Sequence, residues 1–250
     1  MGVIQTATAY SRNAIVVQKN NLKATVVAFG VLLLAAAPAA AKAADRSDQF
    51  SFELGAATEY TAKGVGKSDG EPHVFGSVTW SPGPAYVKVF ATPVELSQGS
   101  DAEILTTVGV KPKAAGFDFD FHAIYRLRPG TRAGVDSTFW EAEADVTRKM
   151  GPTSVRLRVN YTPNGFARAK EAWWVEGQAT VKVAEKTKVS AALGRREVER
   201  GVDYTAWNVG VRQGLTKNLD ADVRWFDTSK GDDLKGEYRA GLVGSLILKF

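Results

Sequence analysis

Hydrophobic and polar residues alternate with a period of two over most of the chain after residue 43. In FDFDFHAIYRL, residues 117–127, the phenylalanines share one face and the acidic residues share the other. Successive side chains of a β-strand point to opposite faces of the sheet, so this pattern predicts strands with one apolar and one polar face. Few segments show the 3.6-residue period of a helix. The sequence therefore predicts an all-β fold.

Twelve segments carry this alternation, and an even number of antiparallel strands is typical of single-chain outer-membrane barrels. The predicted strands are 49–60, 73–80, 85–91, 102–110, 117–127, 138–148, 153–161, 172–184, 189–196, 204–213, 220–227 and 237–250. We therefore predict a transmembrane antiparallel up-and-down β-barrel of about 12 strands.

The connections between the predicted strands alternate in length. Short ones such as SPGP (81–84) and EKTK (185–188) follow the even-numbered strands. Longer polar ones such as TAKGVGKSDGEP (61–72) and TPVELSQGSD (92–101) follow the odd-numbered strands. Short periplasmic turns and longer extracellular loops are typical of such barrels, so we expect both termini on the periplasmic side.

The N-terminal residues predict export. The first 23 residues include three basic and no acidic ones, an apolar run follows over 24–37, and small residues end the segment. This is the three-part pattern of a secretory signal peptide, with cleavage after Ala43. An uncleaved anchor is the alternative, but the run is shorter than the roughly 20 residues that a spanning helix needs. We predict a signal peptide over 1–43 and an outer-membrane barrel over 44–250.

Composition narrows the functional classes. The chain holds 32 basic and 27 acidic residues, but four of the basic ones lie in the predicted signal peptide, so the mature chain is nearly neutral. A nucleic-acid partner therefore loses its main support. The chain has no cysteine, which excludes disulfides, thiol chemistry and thiolate metal sites.

Aromatic residues on the outward face are predicted to form two girdles at the membrane interfaces, where Trp and Tyr are enriched. The outer girdle comprises Tyr60, Tyr125, Trp140, Tyr161, Trp173, Trp207, Trp225 and Tyr238, and the periplasmic girdle includes Trp80 and Phe250. Outer-membrane lipid and lipopolysaccharide are the expected surroundings. The amphipathic last strand ending at Phe250 resembles the signal by which the barrel-assembly machinery recognises outer-membrane barrels.

The inward face is predicted to line a channel with charged groups. The candidates are Asp118, Asp120, His122, Arg126, Glu141, Glu143, Asp145, Arg156, Arg158, Glu176, Arg224 and Arg239. Acids and arginines face each other across neighbouring strands, which fits ion pairs that satisfy buried charge. The same groups fit an eyelet that selects solutes by charge. The two interpretations are compatible.

Twelve strands lie between packed eight-stranded barrels and open sixteen-stranded porins, so we expect a narrow channel for passive diffusion of small hydrophilic solutes. The alternative is a non-conducting barrel whose extracellular loops bind a ligand or partner, as adhesins and receptors do. An enzyme is not expected, because His73 and His122 are the only histidines and neither begins a recognisable catalytic triad. The sequence indicates no cofactor and no metal site.

The stretch EYTAKGVGKSDGEPHVFGSVTW, residues 59–80, also resembles the TorF porin family, a group described as conserved hypothetical bacterial proteins. The resemblance depends on Gly64, Val65, Ser68 and the Asp-Gly-x-Pro that follows. Lys63 and Lys67 depart from it, because the family tends to have Arg and Gln there. The resemblance implies an outer-membrane β-barrel over the whole mature chain, without an assigned substrate.

Overall fold

The computed structural model describes residues 49–96, 98–167, 169–234 and 236–250. The predicted signal peptide lies outside these residues. The described residues form fifteen strands: β1 (Phe50–Ala57), β2 (Thr61–Ala62), β3 (Val65–Gly66), β4 (His73–Trp80), β5 (Ala85–Pro93), β6 (Ala102–Val110), β7 (Lys113–Ala114), β8 (Phe117–Leu127), β9 (Thr138–Met150), β10 (Thr153–Thr162), β11 (Ala172–Ala184), β12 (Thr187–Val198), β13 (Tyr204–Gly214), β14 (Leu219–Thr228) and β15 (Gly241–Lys249).

The twelve long strands form a closed antiparallel barrel, as predicted. Each strand pairs with its neighbours along the chain, β1 pairs with β15, and a β6–β8 pairing completes the ring. Two-residue strands make up the rest: β7 extends the edge of β8, and β2 pairs with β3 in a separate hairpin. The strand number and antiparallel order predicted from the alternation are therefore confirmed.

Helical structure is minor in the part of the chain that the structure describes. A single turn, α1 (Gly231–Leu234), and a 3-10 turn (Gly236–Tyr238) lie between β14 and β15. Within the described part of the chain, no helix is long and apolar enough to cross a membrane.

The outer surface of the barrel is apolar. Leu193, Leu242 and Val183 are each more than half exposed on this face. Near one end of the barrel, exposed aromatic side chains include Trp140, Trp173, Trp207 and Trp225, and near the other end they include Trp80 and Phe250. An exposed apolar surface of this size would aggregate in water, whereas lipid accommodates it.

Three predicted placements are wrong, and each lies where the chain leaves the sheet. The alternation extends the first strand to Tyr60, but β1 ends at Ala57 and the Tyr60 hydroxyl lies inside the barrel, where it donates to Glu103. Tyr238 belongs to the 3-10 turn and packs edge-on against Tyr204, so it is not in the outward girdle.

Arg239 is the third. It precedes β15, which begins at Gly241 rather than at residue 237 as predicted. Its exposed side chain lies beside Gly70 in the first long loop, so it does not line the lumen. The common cause is that alternation of residue types continues in the sequence past the point where the backbone bends.

Candidate functional site

A short hairpin inside the barrel narrows the lumen. The chain bends after β1 and enters the barrel, where β2 and β3 pair around the two-residue turn Lys63–Gly64. Both turn residues have positive φ, 53° and 80°, the pattern of the tight turns that suit two-residue hairpins. The backbone amide of Lys67 donates to the carbonyl of Tyr60 at 2.7 Å and closes the base of the hairpin. The hairpin is thus a compact, internally bonded unit.

The tip of the hairpin contacts three strands of the wall, β13, β9 and β10, and the last two lie across the lumen from β1. The Tyr204 hydroxyl on β13 donates to the carbonyl of Lys63 at 3.0 Å, and Gly64 packs against Ala206 so closely that a β-carbon would overlap it. Lys63 Nζ lies 2.9 Å from Oε1 of Glu141 and 2.7 Å from Oδ1 of Asn160. The hairpin therefore bridges the barrel between β1 and the opposite wall.

The base of the hairpin is held by Glu103 on β6, whose side chain is fully buried. Lys67 Nζ lies 3.1 Å from its Oε1, and the Tyr60 hydroxyl donates to its Oε2 at 3.0 Å. Arg126 and Arg128 also donate to this carboxylate, each at 2.9 Å. Three cations therefore share one carboxylate, an arrangement that leaves positive charge in excess at this point of the lumen.

A belt of ion pairs continues along β8, β9 and β10. Arg126 donates through Nε to Glu141 at 2.9 Å. Arg158 holds both oxygens of Asp145, at 2.7 and 2.6 Å, and its Nε lies 2.9 Å from Glu143. The strand register places Arg158 directly opposite Asp145, so the pairing follows from the sheet itself.

His122 occupies the centre of the same belt. Its Nδ1 lies 3.0 Å from Oδ1 of Asp120, and its Nε2 lies 3.2 Å from Oε1 of Glu143. The Tyr86 hydroxyl also donates to Asp120, at 2.9 Å. With carboxylates at both ring nitrogens, His122 connects charged neighbours, and no nucleophilic hydroxyl or thiol contacts it among the described residues.

The remaining predicted lining residues lie apart from this belt. Arg156 pairs with Glu176 at 2.6 Å, on β10 and β11. Arg224 donates to Asn208 and Ser190 at 2.6 and 2.8 Å, on the wall formed by β12 to β14. Asp118 pairs with Lys149 at 2.7 Å, where both are considerably exposed near the short-turn end of the barrel.

Burial changes the protonation of the two hairpin lysines. It lowers the pKa of Lys67 to about 7, an effect that the Glu103 charge partly offsets. It lowers the pKa of Lys63 to about 8, with Glu141 acting in the opposite direction. Both side chains therefore titrate in a range where an exposed lysine stays charged.

Sequence reasoning missed the hairpin and with it the contacts of Lys63, Lys67 and Arg128. The available signal was Gly64 between the β-branched residues Thr61 and Val65, which is weaker than the Asn-Gly or Asp-Gly pattern of a two-residue hairpin turn. The length of the segment predicts an extracellular loop, because loop length alone does not show that a loop folds inward.

The geometry provides a lumen that the hairpin narrows and that polar side chains line. Within the described ranges, no group of three or more His, Asp or Glu side chains is arranged to hold a metal ion. Arginine, lysine and histidine side chains pair with carboxylates inside the barrel in the ways described above, and pairs of this kind brace the wall.

Comparison with known proteins gives a family and a fold. Residues 41–241 match the model of the Gcw_chp family, described as a bacterial protein of unknown function. No curated protein sequence matches the chain.

Among solved structures, the chain is similar to the KdgM porin and to the KdgM porin in complex with disordered oligogalacturonate. Each shows 10% identity and a TM-score of 0.56, over 80% of this chain and 98% of that one. It is also similar to the NanC porin, at 6% identity and a TM-score of 0.56, with the same two coverages. At these identities the likeness shows a shared barrel fold.

Proposed function

Because the chain belongs to the Gcw_chp family of bacterial proteins of unknown function, we propose its function from the geometry of its lumen: an outer-membrane channel for passive diffusion of small hydrophilic solutes. The observation that carries this proposal is the hairpin with Lys63 and Lys67, held inside a barrel whose wall is charged. A loop folded into the lumen turns a wide barrel into a narrow one. The resemblance of residues 59–80 to the TorF porin family is part of the same proposal.

The proposed location is the bacterial outer membrane. The predicted signal peptide would export the chain, and the apolar outer surface with aromatic residues at both ends suits a bilayer. Insertion would proceed through the barrel-assembly machinery, which would recognise the last strand. Phe250 ends that strand, and its backbone exchanges two hydrogen bonds with Phe52 at 3.2 and 3.0 Å.

The proposed solutes are small, polar and able to pass charges of both signs. Acidic groups dominate the wall of β6 to β9, where Glu103, Glu141 and Glu143 lie, and basic groups face them from the hairpin and β10. One fold neighbour is the KdgM porin in complex with disordered oligogalacturonate. A paired wall of this kind would orient a polar solute without holding it, and no energy source is involved.

Planar-bilayer recording tests the proposal. The mature chain, residues 44–250, is refolded from denaturant and checked for heat-modifiable migration, which reports a folded barrel. Stepwise current from this protein supports a channel. Folded protein that gives no current at any voltage contradicts it.

The hairpin also favours a second candidate, the non-conducting barrel whose loops bind a ligand or partner. It bridges the lumen from β1 to β9 and β10, and a barrel closed in this way would leave only the long loops to act. The same recording separates the two candidates, because a barrel closed by the hairpin is silent while the hairpin is in place and conducts only when the hairpin is removed.

A further inference from the structure

The wall of the barrel has a gap beside β1. Backbone pairing between β1 and β15 extends to Ala57 opposite Ser245, followed by one last bond from the Thr58 amide to the Gly244 carbonyl at 3.0 Å. The chain then bends into the lumen, whereas β15 continues to Gly241 with β14 alone at its side. The place in the wall that β1 would occupy is therefore left open.

The gap lies near the extracellular edge of the barrel's apolar outer surface. Gly244 pairs with Val223 on β14, and Leu242 pairs with Trp225, an aromatic residue of the outer girdle. The first long loop limits the gap on one side, and Arg239 beside Gly70 lies across its upper end. In a membrane, the opening faces the boundary between the outer-leaflet hydrocarbon and the head groups.

A cavity of about 720 Å³ occupies this gap. Its lining includes Leu246 and Val223, which are about half exposed on the outward face, and also His73 and Ser68, which are buried on the inward side. Because the lining comes from both faces of the sheet, the cavity passes into the wall. Its volume is within the range of roughly 300–1,000 Å³ typical of small-molecule sites.

One polar side chain in this cavity lacks a partner. His73, at the start of β4, is 7% exposed, and neither Nδ1 nor Nε2 makes a hydrogen bond to any described residue. The rings of Tyr60 and Phe75 flank it at 5.7 and 5.9 Å. A buried polar group without a partner is costly, so an imidazole in this position suits a ligand that brings a hydrogen-bonding group to it.

We propose that the gap is a lateral site for a neutral single-chain amphiphile, whose aliphatic chain enters from the outer leaflet and whose hydroxyl head contacts His73. Apolar lining from Ala56, Val74 and Val94 suits the chain. The exposed carboxylate of Glu71 also lines the cavity, and its negative charge disfavours an anionic head group, whereas Asp222 in the lining is paired with Arg212 and Arg224. The site requires that the barrel spans a membrane, but it does not require that the lumen conducts.

Photolabelling in phosphatidylcholine vesicles tests this site. The probe is dodecanol with a diazirine in its chain, the competitors are unlabelled dodecanol and dodecanoate, and labelled residues are located by mass spectrometry. We expect labelling of residues 68–74 and 241–246 that dodecanol displaces and dodecanoate displaces poorly. Uniform labelling of the outer face that no competitor displaces would overturn the proposal.

Two glycines give a matched pair of variants. A β-carbon at Gly244 would meet nothing nearer than Thr58 at 4.0 Å, so Gly244→Phe places a ring at the gap without a clash. Gly177 on β11 also faces outward and has nothing within 4 Å, but it lies away from the gap. Displaceable labelling should be lost in Gly244→Phe and kept in Gly177→Phe, with both proteins heat-modifiable. Equal labelling of the two would contradict the site.

His73→Phe tests the head-group contact. The variant keeps a ring of similar size, and the loss of one hydrogen bond should weaken dodecanol competition about fivefold. A chain-labelled dodecane probe, which lacks the hydroxyl, should bind both forms alike. If His73→Phe leaves dodecanol competition unchanged, His73 does not contact the head group and the proposal fails. Photolabelling does not depend on channel current. A failure of the channel proposal can therefore be distinguished from a failure of this binding site.

Discussion

The Nζ atom of Lys63 lies 2.9 Å from Oε1 of Glu141, although 78 positions separate the two residues along the chain. Lys63 is at the tip of the hairpin and Glu141 is on β9, so this contact ties the inward loop to the far wall. The width of the lumen therefore depends on a side-chain bond that can be removed without touching any barrel strand.

Replacement of Lys63 should widen the lumen. Lys63→Met removes the bonds to Glu141 and Asn160, and leaving buried polar groups without a partner costs about 1–3 kcal/mol. We expect the hairpin to leave its docked position more often and the mean single-channel conductance to rise. The control is Lys113→Met. The amine of Lys113 is largely exposed and pairs with Asp118 at 3.5 Å, outside the hairpin. Equal conductance in the two variants would contradict a docking role for Lys63.

Conductance should fall as the pH rises from about 7 to 10.5. Docking lowers the pKa of Lys67 from its ordinary value of 10.5 to about 7, chiefly through burial. Between these values the released hairpin binds more protons than the docked one, so docking strengthens as the pH rises, and below pH 7 Lys67 adds no further change. Lys63, whose pKa falls to about 8, acts in the same direction.

Planar-bilayer recording across this pH window measures the effect. The variant that carries both Lys63→Met and Lys67→Met has no lysine left in the hairpin, and we expect its conductance to stay level. An equally steep decline in this variant would assign the pH dependence to other groups.

Neutralising two arginines on β10 should shift ion selectivity toward cations. Arg156→Gln with Arg158→Gln leaves Glu176, Asp145 and Glu143 without their arginine partners, so the lumen gains net negative charge. The reversal potential in a salt gradient measures this shift. Arg195→Gln serves as control, because Arg195 is half exposed and pairs only loosely with Glu197 at 3.7 Å among the described residues. If the current does not pass through the lumen, the unaltered protein, the double variant and the control will have the same reversal potential.

Filling the space beside Trp174 should destabilise the barrel. The ring of Trp174, which is 2% exposed, packs directly onto Gly194 of the neighbouring strand, where a β-carbon would overlap it. Gly194→Val forces the ring to move, at a cost of about 1–3 kcal/mol. The temperature at which heat-modifiable migration is lost should fall. Gly177→Val, on the open outward face, should leave it nearly unchanged, and a similar fall in both would contradict the packing argument.

The strands could be predicted closely from the sequence, because burial of one face by lipid imposes strict alternation. The bounds of β8, Phe117–Leu127, and of β11, Ala172–Ala184, agree with the prediction at both ends. Many lumen pairs follow once the register is known, as for Arg158 opposite Asp145, and the two-residue turn after β9 sets that register.

The parts that escaped prediction depend on where the backbone bends. Tyr60, Tyr238 and Arg239 continue the alternation of their strands, yet each lies in a loop that has left the sheet. The bond between Lys67 and Glu103 joins a loop to a strand 36 positions away, and no local pattern encodes it. Contacts of this kind require the tertiary fold.

Removal of the hairpin tests the central claim most directly. The Tyr60 carbonyl and the Lys67 amide are 2.7 Å apart, so two glycines can replace residues 61–66 without strain on the barrel. We predict stepwise single-channel current from both the unaltered mature chain and the shortened one, with a larger conductance for the shortened one. Folded, heat-modifiable unaltered protein that passes no current, whether or not the shortened form conducts, would contradict the channel and favour a closed barrel that acts through its loops.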